Sequence, residues 1–177
     1  VQSPRVTVAV GMPLTDSAPP QLDVTPTVLV PQPHSSLTIA TPTPKIIPTS
    51  YEAESSQNML TGSAGPVSCS SCSGGYRVCC ISIGQNKPNG TVQFNNVNKS
   101  IVGSYTMTIY YTEGDPGSRI GYISVNGGPA IAFTGVYTGS WDTVGTVNMT
   151  ISLRAGDNTI KFFNPNGPGP DIDRIVV

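Results

Sequence analysis

Charge is scarce in this chain: Asp, Glu, Lys and Arg make up 11% of its 177 residues and nearly cancel, to a net charge of -1. An average soluble domain carries roughly 25% charged residues. A surface this neutral has no electrostatic footprint for nucleic acid or for an anionic membrane. Histidine occurs once, as His34 between Pro33 and Ser35. It reads as a surface residue, and no Ser-His-Asp set can be assembled around it. Tryptophan also occurs once, as Trp141. No stretch approaches the roughly eighteen apolar residues of a membrane-spanning helix. No basic stretch leads into an apolar one in the manner of an export leader.

Polar bulk comes instead from Ser, Thr, Asn and Gly. Nineteen Gly and seventeen Pro leave little room for long helices, so the composition is that of an all-β protein. The four Cys all lie between positions 69 and 80, and Asn-x-Ser/Thr sequons stand at Asn89, Asn98 and Asn148. Clustered cysteines and glycosylation acceptors both suit an oxidising compartment, so a secreted or cell-surface glycoprotein is expected.

Residues 1–50 differ from the rest. Ten of the seventeen Pro fall there with a single Gly and four charges: Arg5, Asp16, Asp23 and Lys45. Repeats such as Thr41-Pro42-Thr43-Pro44 favour extended or polyproline II backbone, which reads as an arm or linker. Against a purely solvated linker stand the runs Val6–Val10 and Val28–Val30, whose alternation and β-branching read as strand. A chain of this kind can add strands to other copies of itself, as the arm of a subunit in an extracellular filament would. On that reading, deleting residues 1–45 leaves a folded monomer that no longer assembles.

From Tyr51 onward the sequence is short β-runs separated by turns. Tyr105, Met107, Ile109 and Tyr111 alternate with Thr106, Thr108 and Tyr110; Val147, Met149, Ile151 and Leu153 alternate with Asn148, Thr150 and Ser152. Each pattern is a strand packed on one face. Asn126-Gly127-Gly128 is a hairpin signal between Arg119–Asn126 and Pro129–Phe133. About nine strands at spacings of roughly 8 to 12 residues point to a β-sandwich or jelly roll over residues 51–177.

Two acidic stretches bracket this domain: Tyr51-Glu52-Ala53-Glu54 and Asp171-Ile172-Asp173-Arg174-Ile175. Strand alternation would put Glu52 with Glu54, and Asp171 with Asp173. If the first and last strands are neighbours, these carboxylates converge, and an oxygen-only acidic cluster suits a hard cation such as calcium. Ordinary solvated charges at strand ends are the alternative. Cys69, Cys72, Cys79 and Cys80 admit three disulfide pairings if all are oxidised. Cys79 and Cys80 would point to opposite faces of a strand, so bridges from Cys72 to one and Cys69 to the other would pin the loop, while a local Cys69–Cys72 bridge also fits. Zinc on the four thiolates competes, but the spacing is short for a zinc ribbon.

Six motifs occur in order: Tyr51-Glu-Ala-Glu54, Cys72-Ser-Gly-Gly-Tyr-Arg-Val78, Tyr122-Ile-Ser-Val-Asn-Gly127, Thr138-Gly-Ser-Trp-Asp-Thr143, Ala155-Gly-Asp-Asn-Thr-Ile160, and Asn164-Pro-Asn-Gly167 with Asp171-Ile-Asp-Arg-Ile175. Together they resemble carbohydrate-binding module family 35, close kin of family 6, across residues 51–177. The resemblance implies a jelly roll of two antiparallel sheets. It also implies a structural calcium held by Glu52, Glu54 and Asp173, with backbone oxygens around Gly74 to Arg77 and with Asp171 on the same side. It further implies a sugar site in the loops, with Trp141 stacking and Asn166 hydrogen-bonding, and Asn164 and Tyr137 as neighbours. Asp115 and Arg119 are further neighbours, and Trp141 could instead plug the end of the sandwich. Cys79-Cys80 departs from the family pattern, because a ligand-side position carries sulfur. The function expected is therefore an extracellular, non-catalytic module that carries a parent protein to polysaccharide. The structural subunit of a filament is the alternative.

Overall fold

The computed structural model describes residues 47–81 and 89–177. The arm with its two apolar runs and His34, and the turn at 82–88, lie outside the described residues. Within them the chain forms β1 (Ser50–Glu52), β2 (Met59–Thr61), β3 (Gly65–Ser68), β4 (Tyr76–Cys79), β5 (Thr91–Lys99), β6 (Gly103–Thr112), β7 (Ser118–Val125), β8 (Ala130–Val136), β9 (Val144–Leu153), β10 (Gly156–Phe163) and β11 (Asp171–Val176). All pairings are antiparallel. One sheet runs β3-β4-β11-β6-β9, with β1 also on β11; the other runs β2-β5-β10-β7-β8. This is the all-β jelly roll that the alternation and turn spacing predict.

The core lies between the sheets. Met107, Ile109 and Tyr111 of β6 and Ile151 and Leu153 of β9 face Phe94, Ile123, Ile160 and Phe162 across it, all at most 2% exposed. Phe162 sits edge-on to both Phe94 and Phe133, with ring centroids 5.5 Å and 5.7 Å away. Asn126 and Gly127 both have positive φ, 51° and 73°, and the Gly128 amide donates to the Val125 carbonyl at 2.9 Å. That is the mirror-image turn favoured in hairpins, as the Asn-Gly pair predicts.

Two bulges explain where the apolar spacing departs from alternation. In β5, Val92, Phe94 and Val97 are all fully buried although 94 and 97 are out of phase. The extra residue lies at Asn95-Asn96, where Asn96 takes φ 56° and the register against β10 shifts. In β11, Ile172 and Ile175 are both buried for the same reason, the register against β6 shifting between Ile172 and Arg174. A bulge adds one residue to one strand and bends it.

Gly121 leaves room for a core ring: a Cβ there would fall 2.3 Å from the Phe133 ring. Gly121→Ala should therefore overpack the sandwich at a cost of about 1–3 kcal/mol. A melting curve with an unshifted midpoint would show that the ring moves aside freely.

Candidate functional site

Two constellations stand out, one at each side of β11. The first is acidic. β1 pairs with the late part of β11, Glu52 opposite Arg174, while β4 pairs with its early part, Val78 opposite Ile172. Asp173 falls between them in the bulge and is fully buried. The Ser73 amide donates to Asp173 Oδ1 at 3.0 Å, and the Ser73 hydroxyl donates to Glu52 Oε1 at 2.9 Å. Gly74, at φ 66°, brings bare backbone against Glu54; a Cβ on it would lie 2.6 Å from Glu54 Oε1. Glu52, Glu54 and Asp173 are thus gathered around the tight turn Ser73–Gly75. Glu54 belongs to the turn after β1, not to the strand itself.

The electrostatics of this cluster are unfavourable as it stands. Among the described residues, Glu52 Oε2 and Glu54 Oε2 are buried and find no hydrogen-bond partner. Burial pushes the Asp173 carboxyl up to about 6; Arg174 opposes the rise, and Glu52 and Glu54 add to it. Burial likewise raises Glu54, against its own backbone amide and with help from Glu52. Among the described residues no trio of Asp, Glu, His or Cys side chains is already drawn to coordinating distance. Unpartnered buried carboxylate oxygens and a turn bare of side chain are nevertheless the features a hard cation needs, so the donor set fits calcium.

Asp171 stands elsewhere. Because the bulge breaks the alternation, it does not join Asp173; its Oδ2 accepts from Arg77 Nε at 2.8 Å, with both side chains largely buried. This pair belongs to the second constellation, a cleft of about 360 Å³ lined by Val67, Arg77, Cys79, Cys80, Ile81, Arg119, Trp141, Pro168, Gly169 and Asp171.

Among the described residues, Trp141 is the only aromatic residue in the cleft lining. Its ring lies against Gly114, where a Cβ would come within 2.4 Å, and has the Arg119 guanidinium 4.9 Å and the Arg77 guanidinium 5.7 Å from its centroid. Both cations are anchored from behind. Arg119 Nε is 3.1 Å from Oε2 of the fully buried Glu113, and Arg119 also pairs with Asp115. Among the described residues Glu113 Oε2 finds no aligned hydrogen bond, so its contact with Arg119 is an ion pair. Burial raises both the Glu113 and Asp171 carboxyls, with the neighbouring guanidinium groups opposing the rise. Thr138 staples the loop before Trp141, its amide donating to the Glu113 carbonyl at 2.9 Å.

The cysteines correct the cross-bridged pairing. Cys69 and Cys72 are bonded to each other, and Cys79 and Cys80 are free thiols. The closed Cys69–Cys72 loop leans on the Trp141 loop: the Ser70 amide donates to Asp142 Oδ1 at 3.2 Å, and the Ser71 hydroxyl donates to the Asp142 carbonyl. Cys79 and Cys80 do not point to opposite sides. β4 ends at Cys79, and Cys80 takes φ 66°, which breaks strand alternation and lets both side chains line the cleft.

Of the other predicted sugar contacts, Arg119 lines the cleft, whereas Asp115, Asn164, Asn166 and Tyr137 lie outside its lining. Asn164 is buried, its amide donating to the Ile120 carbonyl at 2.7 Å and to the Pro168 carbonyl at 3.2 Å, so it shapes the loop that forms one wall. Asn166 is exposed and reaches the Tyr122 hydroxyl at 3.4 Å. The Tyr137 hydroxyl donates to the Gly139 carbonyl at 2.7 Å. Sequence reasoning missed Arg77 and the partnership of Asp171 with it. The available signal was the scarcity of charge: in such a chain, an Arg inside an apolar strand has to face a carboxylate.

A two-sheet jelly roll with an aromatic cleft walled by loops and fixed polar groups is the architecture of a glycan-binding module. Structural comparison agrees. A family 35 carbohydrate-binding module from Clostridium thermocellum is 35% identical, with a TM-score of 0.68 over 73% of this chain and 98% of that one. An exo-beta-1,3-galactanase from Phanerochaete chrysosporium, solved with beta-1,3-galactotriose, is 34% identical with a TM-score of 0.66; the match covers 72% of this chain but 28% of the enzyme. A family 35 module from Paenibacillus barcinonensis is 25% identical, with a TM-score of 0.60 over 73% of this chain and 98% of that one. No family sequence model and no curated protein matches the chain. The chain belongs to carbohydrate-binding module family 35.

Proposed function

We propose that residues 51–177 act as an extracellular, non-catalytic module that holds a parent protein on polysaccharide, binding sugar in the Trp141 cleft and carrying a structural calcium at Glu52, Glu54 and Asp173. The observation that carries the sugar site is Trp141 itself, half-buried in the cleft with two anchored guanidinium groups within 5.7 Å of its ring centroid. A sugar ring offers an apolar face for stacking and hydroxyls for fixed donors and acceptors. The indole, Arg77, Arg119 and Asp171 supply both kinds of contact on one wall. A bound calcium would supply positive charge to carboxylates that now lack it, holding together the strands that begin and end the domain.

The non-catalytic reading rests on the same ion pairs. Glycoside hydrolysis needs two carboxylates free to act on opposite sides of one bond. Here Asp171 is committed to Arg77 and Glu113 to Arg119. Incubation with beta-1,3-galactan should bind the polymer yet release no new reducing ends; release that depends on Glu113 or Asp171 would make the module an enzyme. The sugar reading itself is tested by titrating beta-1,3-galactotriose, with other oligosaccharides in parallel, against the fluorescence of the sole tryptophan. Saturable change with one of them is expected; none with any would remove the cleft as a sugar site.

A further inference from the structure

Cys79 and Cys80 are adjacent free thiols on the wall of the cleft that holds Trp141. Their placement is held by the backbone. Gly65 pairs with Cys79, and the Cys80 carbonyl accepts from the Ser63 hydroxyl at 3.1 Å. Gly90 passes so close to that carbonyl that a Cβ on it would lie 1.9 Å away. The left-handed turn at Cys80, φ 66°, is thereby pinned, and it is what turns the two sulfurs to the same side. Cys80 is exposed and Cys79 is half-buried.

We propose that Cys79 and Cys80 are a redox couple built into the sugar cleft, closing to a disulfide between adjacent residues and thereby switching the shape of the wall beside Trp141. The inference rests on the reading of this cleft as the sugar site. Closure runs by exchange with a small-molecule disulfide such as oxidised glutathione. The exposed Cys80 thiolate attacks one sulfur, forming a mixed disulfide and releasing one thiol. Cys79 then attacks the Cys80 sulfur and releases the second. The two cysteines lose two protons and two electrons together, and the small disulfide becomes two thiols. Burial pushes the Cys79 thiol up to about 12, and the Cys80 thiol beside it adds to the rise, so closure is the slow step.

The couple is reversible for a geometric reason. Adjacent Cα atoms stand about 3.8 Å apart across a trans peptide, short of the roughly 4.4 Å at which ordinary disulfides begin. A ring closed at that separation is strained and is reduced more readily than a relaxed bond. Cys69–Cys72, with Cα atoms 5.3 Å apart and both residues buried, is the stable partner within the same molecule. Closure replaces two rotatable thiol side chains by one fixed apolar surface. Immobilising such a side chain in advance is worth roughly two- to tenfold in affinity, so the oxidised form should bind sugar more tightly.

The test equilibrates the full chain in glutathione buffers of graded ratio and follows three readouts: alkylation with mass spectrometry, Trp141 emission, and affinity for beta-1,3-galactotriose. The expected result is an intramolecular Cys79–Cys80 bond that opens in buffers where Cys69–Cys72 stays closed, a change in Trp141 emission with the same midpoint, and two- to tenfold tighter sugar binding when closed. Cys80→Ser, at an exposed position, should fold normally and lose all three responses. A change in emission with no sugar bound in either state would support the couple and remove the sugar reading instead. The inference is overturned if Cys80 stops at the mixed disulfide, or if closure leaves both emission and affinity unchanged.

Discussion

Removing calcium should lower the melting temperature of this domain by on the order of 10 °C, and Glu54→Ala should abolish that dependence. A ligand present at a hundredfold its dissociation constant stabilises the folded state by about 2.7 kcal/mol, which for a domain of this size is a shift of that order. The two conditions act oppositely on the variant. Without calcium, deleting Glu54 relieves burial and repulsion at an oxygen that has no partner, so the variant should melt no lower than the chelated wild type. With calcium, it should fail to gain. The pH dependence has a definite sign. Asp173 is raised in the fold from 3.8 to about 6, so across that window the ion-free folded state binds more protons than the unfolded state. Its stability therefore falls as pH rises through the window. Calcium competes with those protons, so the gap between calcium-loaded and chelated melting curves should widen over the same range. A chelator that leaves the wild-type curve unmoved would show that the cluster holds no structural ion.

The second large effect is expected from Trp141→Ala, which should weaken sugar binding at least thirtyfold, the equivalent of about 2 kcal/mol for a central aromatic contact. The fold should survive. Trp141 sits in a loop outside the buried core, against Gly114 and beside two guanidinium groups that keep their own carboxylates, Asp171 and Glu113. Melting with and without calcium should therefore match the wild type within a few degrees. Trp141→Phe keeps a ring for stacking and should recover part of the affinity. Full retention of binding in Trp141→Ala would place the sugar away from this cleft.

The β6 and β9 faces were legible in the sequence because each strand buries one side, so alternation records the core directly. The Asn126-Gly127 turn was legible because few residue pairs tolerate two positive φ angles. β2 and β3 were not: they are three and four residues long and contain no fully buried residue, so burial imposes no periodicity on them. The candidate site was legible in part. Motif order brought Glu52, Glu54 and Asp173 together and singled out Trp141. Strand alternation misplaced Asp171 because Asp173 is itself the extra residue of the β11 bulge. Likewise a single left-handed residue, Cys80, undid the expectation that adjacent cysteines face apart. Side-chain direction at bulges and positive φ depends on partners far along the chain, here Tyr110 and Tyr111 for β11 and Gly90 for Cys80, which local pattern does not contain.

Whether sugar seats in the Trp141 cleft can be read from the single indole NH signal in a proton–nitrogen correlation spectrum during titration with beta-1,3-galactan oligosaccharides. This signal should move saturably, together with the backbone amides of Arg77, Cys80, Arg119 and Gly169, while those of the Ser73–Gly75 turn stay fixed. An indole signal that stays fixed while amides on another face titrate would place the sugar elsewhere on the sandwich.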